Sequence, residues 1–474
     1  MNMMLDAHTA DRVNQLLSRL DVPGPRYTSY PTADRFTEAF NATGHLRALQ
    51  QRARDTVAGV APPLSVYVHI PFCESVCYYC ACNKVVTRQH GRAAEYLQAL
   101  QHEMDLHVAV LGSGQPLTQL HLGGGSPTFL TDEELRALMA MLRAAFRIEP
   151  DAEVSIEVDP RTVDAQRLRH LAALGFNRLS FGVQDFNPEV QQAVHREQSY
   201  ESVQALVQAA REIGFESINA DLIYGLPRQT PTTFLQTIAQ MGALRPDRIA
   251  LYAYAHLPER FKPQRRIHVH ELPAAGDRVH MLRAAISGFQ GQGYTHIGMD
   301  HFALPDDPLA VAKREGRLHR NFQGYSTQAD CDLIGLGVSA ISKIGRSYSQ
   351  NDKRLPDYLE TVGRAQFASV RGMELSEDDV LRRDVIMALM CQGRVSFEAI
   401  ERAHPTVRVR EDLASELERL RPLQAQGLVA VEPAAIQVTP LGWYFVRAIA
   451  MVFDRYLAPE ARRDPALPGY SRVV

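Results

Sequence analysis

Four of the chain's six cysteines stand within ten residues, in the stretch CESVCYYCAC that runs from Cys73 to Cys82. Cys73, Cys77 and Cys80 are spaced C-x3-C-x2-C, and Cys82 follows two positions later. Thiolates this close together point to a soft metal. A structural zinc site takes four ligands, usually as two well-separated CxxC pairs. No second CxxC or His-x3-His pair follows, and Cys331 and Cys391 are solitary, as buried free thiols are. Iron–sulfur clusters are also held by cysteine thiolates. Three ligands on a [4Fe–4S] cluster leave one iron open to a small molecule. On spacing alone, zinc stays as the alternative.

Further candidates follow at regular intervals. Residues 123–127 read GGGSP, where backbone without side chains can approach a ligand closely. Glu157, Gln184 and Asp221 each follow a β-branched run. Any one of them alone reads equally well as a cap or a loop hydrogen bond; three in register on one face favour ligand binding. Arg196 could pair with a carboxylate, or it could be a surface arginine of the segment QQAVHREQ.

The elements that must position these residues form a repeating theme. Strands are expected at 64–70, 119–124, 153–158, 178–183, 217–225 and 248–254, and helices between them at 91–111, 131–146, 163–175, 199–214 and 230–244. Several helices open with Thr, Ser or Asp, and LAALG and REIG close on glycine. Such alternation predicts an α/β fold built of parallel β/α units, either an open partial barrel or a doubly wound sheet. In both, ligands gather at the carboxyl ends of the strands, which is where the cysteine loop and the other candidates fall.

At 474 residues and 45% hydrophobic, the chain has ample core for two or three domains. Residues 1–60 read as an N-terminal extension over the active site, 61–355 as the β/α region and 356–474 as a mainly helical C-terminal domain. In that domain, helices at 377–392, 397–403 and 410–427 precede a short hairpin and a last helix at 441–457, a winged-helix-like order. Winged helices often bind DNA, but residues 371–474 hold 14 Lys and Arg against 15 Asp and Glu. With a net charge of −3 overall, no nucleic-acid partner is expected. No run of 18 apolar residues and no secretory leader is read, so no membrane partner is expected and the location is cytoplasmic.

The C-x3-C-x2-C loop after the first strand of a β/α array resembles the radical S-adenosylmethionine (SAM) superfamily. More closely, YVHIPFCESVCYYCACNKVVTR (67–88), HLGGGSPTFL (121–130), SIEVDPR (155–161), GVQDFNPEVQQAVHREQ (182–198), DLIYGLPRQT (221–230), NFQGYSTQ (321–328) and the lead-in PRYTSYPTA resemble the oxygen-independent coproporphyrinogen III oxidase family. Cys82 and the lead-in distinguish this family from the related haem-chaperone-like radical SAM proteins. Ala81 departs from the family's usual glycine, and would be strained if the backbone there required positive φ.

The resemblance implies a partial (β/α)6 TIM-like barrel, a [4Fe–4S] cluster on Cys73, Cys77 and Cys80, and two SAM molecules. It places the first SAM near Tyr67, Gly124, Glu157 and Ile341. The second is expected near Tyr79, Gly125, Ser126, Gln184, Arg196, Asp221, Ala255, Phe322 and Gln323. Cys82, Tyr67 and Arg196 are the expected catalytic residues, with Cys82 a thiol beside the cluster rather than a ligand. The implied substrate is coproporphyrinogen III, two propionates of which become vinyl groups. A flavodoxin-type electron donor, an unidentified electron acceptor and a monomeric state complete the expectation. A haem-binding or haem-delivery protein on the same scaffold is the alternative.

Overall fold

The structure is a computed structural model that describes Leu16, Leu20, residues 22–328 and residues 331–457. Most of the first 21 residues of the expected N-terminal extension, and residues 458–474 of the expected C-terminal domain, lie outside the described residues.

After helix α1 (Ala42–Val57) the chain enters six β/α steps. Strands β1 (Leu64–Ile70), β2 (Gln115–Gly124), β3 (Phe146–Val158), β4 (Arg178–Gln184), β5 (Ser217–Tyr224) and β6 (Arg248–Ala253) pair side by side in chain order, all parallel. Helices α2 (Gly91–Leu111), α3 (Asp132–Ala145), α4 (Ala165–Ala173), α5 (Tyr200–Ile213) and α6 (Pro231–Leu244) make the crossovers. Local chemistry explains the steps. Thr131 and Glu134 close a capping box at the start of α3, and Leu135, Leu138, Met139 and Leu142 then recur at helical spacing and are buried. Each such side chain contributes about 2 kcal/mol on burial. The apolar residues of β1 are fully buried because strands of a parallel sheet are covered on both faces.

The sheet continues past these six strands. After α7 (Ala275–Gly291), β7 (Thr295–Gly298) and β8 (His301–Ala303) extend the β6 edge in antiparallel fashion. Beyond β1 lie the parallel β9 (Asp332–Leu336) and the antiparallel β10 (Ile341–Ile344), β11 (Ser347–Asn351) and β12 (Ser369–Glu374), the last two flanking α8 (Leu355–Gly363). The twelve strands form one open sheet in the order β12-β11-β10-β9-β1-β2-β3-β4-β5-β6-β8-β7. One cavity is lined from the loop after β1 through to β6, so the sheet curls into a partial barrel.

The C-terminal part is helix–strand–helix–helix–strand–strand. Helix α9 (Glu377–Gln392) leads to β13 (Arg394–Ser396), α10 (Phe397–Ala403), α11 (Ala414–Ala425) and the hairpin β14 (Val429–Val431) and β15 (Ala435–Val438). The three strands pair in the order β13-β15-β14, the winged-helix-like pattern expected.

Three expectations need correction. Strand β3 runs from Phe146 rather than from the expected 153, and takes over the last residue of the helix expected at 131–146. The expected helix 410–427 breaks at Leu413. The segment 441–457 is not one helix but four short helical turns, Gly442–Phe445, Val446–Ala450, Met451–Phe453 and Arg455–Leu457. Most of its apolar residues are buried, and two of its polar groups bind the N-terminal arm. Arg447 donates to the carbonyls of Gly24 and Pro25, and Asp454 accepts from the Tyr27 hydroxyl at 2.9 Å. Those contacts, not helical periodicity, set the backbone there.

Candidate active site

A cavity of about 440 Å³ opens at the carboxyl ends of the six parallel strands. Its walls include the cysteine loop, Gly124 to Ser126, Glu157, Asp159, Arg161, Ser180, Gly182, Gln184, Arg196, Asp221 and Tyr252.

The cysteine loop leaves β1 through a two-residue parallel ladder, Phe72–Cys73 against Val85–Val86. It turns back at Cys77, whose carbonyl accepts from the Cys80 N–H at 3.2 Å. All four thiols line the cavity; Cys82 is exposed and Cys77 buried. Burial, with the neighbouring Cys80 and Cys77, pushes the Cys73 thiol up to about 12. The neighbouring Cys82 thiol holds Cys80 below, and Cys80 holds Cys82 above, the usual thiol range. Ala81 is not among the residues with positive φ, so the strain considered for it does not arise.

Two guanidinium groups face Cys77. The Sγ atom lies 3.5 Å from Arg196 Nη1 and 3.7 Å from Arg161 Nη2. Both arginines share Asp159: Arg161 Nη2 donates at 2.7 Å, and Arg196 Nη2 at 3.4 Å. Arg196 is buried and is fixed further by two bonds to the Gly182 carbonyl, at 2.6 and 3.1 Å. A side chain at position 182 would place its Cβ 2.9 Å from the Arg196 guanidinium.

The opposite wall is acidic. Glu157 accepts from the Gly124 N–H at 3.1 Å and lies 3.4 Å from His121 Nε2. Gly124 has φ +114, and a Cβ there would sit 2.5 Å from the His69 ring. A Cβ on Gly125 would sit 2.8 Å from the Pro71 carbonyl. The glycine run therefore brings backbone against the cavity where no other residue fits. Asp221 accepts from Asn219 at 2.8 Å, and burial together with the Glu157 charge pushes its carboxyl up to about 7. Gln184 ends β4 with φ 72, and His195, which braces the cysteine loop through the Val76 carbonyl, has φ 55. Two non-glycine residues held at positive φ on one rim mark a site that its surroundings over-determine.

The donor chemistry fits the groups the sequence implies. Three thiols stand on one mobile-length loop, while no three His, Cys, Asp or Glu side chains among the described residues converge on a point that would hold a single ion. A cubane needs no such convergence, because each thiolate binds a different iron. The cavity beside the thiols carries both cationic and acidic walls, as an amino-acid-bearing sulfonium ligand requires.

The fold therefore brings Cys73, Cys77, Cys80, Cys82, Tyr79, Gly124, Gly125, Ser126, Glu157, Gln184, Arg196 and Asp221 to one cavity. Tyr67 lies beneath its floor, stacked on His121 at 5.8 Å with its hydroxyl 3.0 Å from His69 Nδ1. Ala255 follows β6 on the same rim without lining the cavity. Phe322 and Ile341 pack instead with Phe36 and Tyr348. Gln323 sits in the turn between His319–Asn321 and Gly324–Ser326, its Nε2 buried without a hydrogen-bond partner. Asp159, Arg161 and Tyr252 join the cavity although sequence reading assigned them no role. The first two were legible as the charged end of SIEVDPR; Tyr252, within a strand, carried no signal.

Comparison with known proteins agrees with this geometry. The Radical SAM superfamily profile matches residues 67–241, and the HemN C-terminal domain profile matches 375–445. An Escherichia coli K12 protein named oxygen-independent coproporphyrinogen III oxidase is 49% identical over 459 residues, covering 97% of this chain and 98% of that protein. Proteins of the same name from Pseudomonas aeruginosa and Synechocystis are 47% and 39% identical over 97% and 95% of this chain. The solved structure of the Escherichia coli coproporphyrinogen III oxidase, described as a radical SAM enzyme, superposes with a TM-score of 0.87 and 50% identity, covering 91% of this chain and 98% of that one. With the three-thiol loop, the glycine run and the cavity at the strand ends, these matches make the chain a member of the oxygen-independent coproporphyrinogen III oxidase family within the radical SAM superfamily.

Proposed function

We propose that the protein converts two propionate side chains of coproporphyrinogen III to vinyl groups, giving protoporphyrinogen IX. The observation that carries this reading is the cavity that joins the Cys73–Cys77–Cys80 loop to Arg196, Glu157 and Asp221, in a chain 49% identical to a named oxidase over nearly its full length. The propionate β-carbon bears unactivated hydrogens with no adjacent carbonyl, so no general base removes one at a useful rate. When bound, a [4Fe–4S] cluster and SAM would supply, with one electron from a donor, the 5′-deoxyadenosyl radical that takes the hydrogen atom instead. The substrate then loses CO2 and one electron to an acceptor, leaving the alkene.

The chain's own residues bind, orient and shield. Cys73, Cys77 and Cys80 would hold the cluster, with Arg161 and Arg196 N–H groups directed at the Cys77 sulfur. Glu157 and the Gly124 backbone would hold the amino-acid end of the first SAM, Glu157 taking its ammonium. Tyr67 and Ile341 would complete that site. Tyr79, Gly125, Ser126, Gln184, Arg196, Asp221, Ala255, Phe322 and Gln323 would hold a second SAM, Arg196 pairing with its carboxylate; the unpartnered Gln323 amide supports this, as a buried donor calls for an acceptor. Cys82 would act beside the cluster without ligating it. Within the expected extension 1–60, the described residues from 22 onward would form a cover over the cavity; within the expected 356–474 domain, the helical unit would begin after Glu374, because Ser369–Glu374 pairs with β11 in the main sheet. In support, Arg26 lies 5.4 Å over the ring of Tyr252, a cavity residue, and pairs with Asp300.

No helix among the described residues is long and apolar enough to cross a membrane, and a cytoplasmic, monomeric enzyme served by a flavodoxin-type donor is part of the same reading. The decisive experiment is an anaerobic assay of the reconstituted protein with coproporphyrinogen III, SAM and a reductant. Harderoporphyrinogen and protoporphyrinogen, each with stoichiometric 5′-deoxyadenosine, are expected. Haem binding without either product would establish the haem-delivery alternative and overturn the reading.

A further inference from the structure

Cleavage of SAM in this superfamily consumes one electron delivered from outside, and the protein surface must offer a place for its carrier near the cysteine loop. Residues 260–266, RFKPQRR, put four cations and no acid into seven positions of a chain whose net charge is −3. Arg260, Lys262, Arg265 and Arg266 are all exposed. Glu259 adjoins them, and Glu271 at the far end of the loop is already paired with Arg228 at 2.8 Å.

This basic loop is fastened to the cysteine loop rather than merely near it. Arg266 stacks over the Tyr78 ring at 5.0 Å and reaches its hydroxyl at 3.3 Å. Gln264, fully buried, donates to the Tyr79 carbonyl at 2.9 Å. Beneath them Ile267 packs in an apolar cluster with Tyr78 and Tyr79, the two residues between Cys77 and Cys80. On the other flank Asn83 donates to the Lys353 carbonyl at 2.9 Å. Lys353 is exposed, and the nearby Arg371 and Arg260 add to burial in lowering its ammonium. The cations thus gather around the cysteine loop, outnumbering the exposed Glu74 on that loop and Glu259 beside the basic segment. Val269, 70% exposed in the same loop, adds an apolar contact point.

We propose that the surface formed by the 260–266 loop and Lys353 is the docking site for an acidic one-electron carrier protein. Complementary charge steers such a carrier and fixes its orientation. Anchoring of the loop through Arg266, Gln264 and Ile267 keeps the docked carrier against the Tyr78–Tyr79 turn. One electron leaves the reduced carrier and enters the cluster held by Cys73, Cys77 and Cys80; the carrier is oxidised by one electron and no other bond changes. The proposal rests on the radical SAM reading but not on the identity of the substrate.

The test uses reconstituted full-length protein, a reduced acidic flavodoxin as probe, and the triple variant Arg260→Glu, Lys262→Glu, Arg265→Glu. Two quantities are measured without coproporphyrinogen: flavodoxin affinity by titration calorimetry, and 5′-deoxyadenosine formation driven either by flavodoxin or by dithionite. The variant is expected to weaken flavodoxin binding at least tenfold and to slow flavodoxin-driven cleavage by a similar factor at low carrier concentration. Dithionite-driven cleavage should stay within twofold, and raising salt should weaken the parent much more than the variant. Unchanged flavodoxin affinity, or equal loss with both reductants, would overturn the proposal. In a separate assay with coproporphyrinogen III added, failure of product formation with intact SAM cleavage would count against the substrate reading alone.

Discussion

The arginines at the cavity and those at the seam between the N-terminal arm and the C-terminal part are both buried in whole or part, but they are satisfied differently. At the cavity, Arg161 and Arg196 share the single carboxylate of Asp159 and turn further N–H groups toward the Cys77 sulfur. At the seam, Arg26 pairs with Asp300, which also accepts from His301 at 2.8 Å, and Arg447 donates to the Gly24 and Pro25 carbonyls. The cavity turns two guanidinium groups toward one sulfur and one shared carboxylate. The seam fills its acceptors with partners from the chain itself. Burial and the neighbouring Arg26 push the Arg447 guanidinium down to about 9, whereas at Arg196 burial is outweighed by Tyr79, Asp159 and Cys77, which hold it above its usual range. The cavity arginines are held by ionic and sulfur partners that a ligand can share, the seam arginine by backbone carbonyls that tie two ends of the chain together.

The sharpest division between the two regions comes from Cys77→Ala. Iron and sulfide content and the broad visible absorbance of the reconstituted protein are expected to collapse, with activity at background, while thermal unfolding of the metal-free protein shifts little. A large drop in metal-free stability would break the comparison. At the seam, Asp300→Ala leaves Arg26 without its carboxylate and should cost about 3 kcal/mol, read by denaturant unfolding, while the protein still accepts a cluster. Loss of the cluster in that variant would show that the seam belongs to the site.

Arg196→Lys keeps the charge but loses the paired donors. A tenfold or greater rise in the SAM dissociation constant, roughly 1.4 kcal/mol, is expected by calorimetry. The pH profile sharpens the acidic wall. Asp221 is held up near 7 by burial and Glu157. A cationic sulfonium favours its ionised form, so SAM should bind more tightly as pH rises toward 7, by at most about tenfold per unit, and level off above it. In the ligand-free protein the same raised carboxyl contributes stability at low pH that is lost as pH rises through 7. Asp221→Asn should flatten both trends; a profile unchanged by the substitution would remove Asp221 from the ligand's surroundings. The smallest effect belongs to Ala81→Gly, which should lower stability by under about 1 kcal/mol, since Ala81 does not occupy positive φ.

The legible part of the molecule is the part whose signals are local. LSVYVHI became β1 with its bounds unchanged, and EDDVLRRDVIMALMCQ became α9 likewise, because β-branched runs and capped amphipathic segments are decided within a few residues. The cysteine spacing, the glycine run and three acids or amides at successive strands were readable for the same reason. Tyr252 was not, since a strand tyrosine looks the same whether it faces core or cavity. The four short helical turns at 442–457 were not either: their apolar run suits a helix, and only the arm at Gly24 to Tyr27, more than 400 residues away in sequence, dictates otherwise.

The sequence by itself determined that six β/α units would carry three closely spaced thiols and a glycine run to one end of a parallel sheet, because strand alternation, caps and turns act over short stretches of chain. Tertiary structure alone decided that Arg161 and Arg196 would converge on one sulfur, that the basic 260–266 loop would lie against Tyr78, and that Arg26 would meet Asp300. Those pairings join residues 84 to 274 positions apart, and their energies exist only once packing has excluded water from between them.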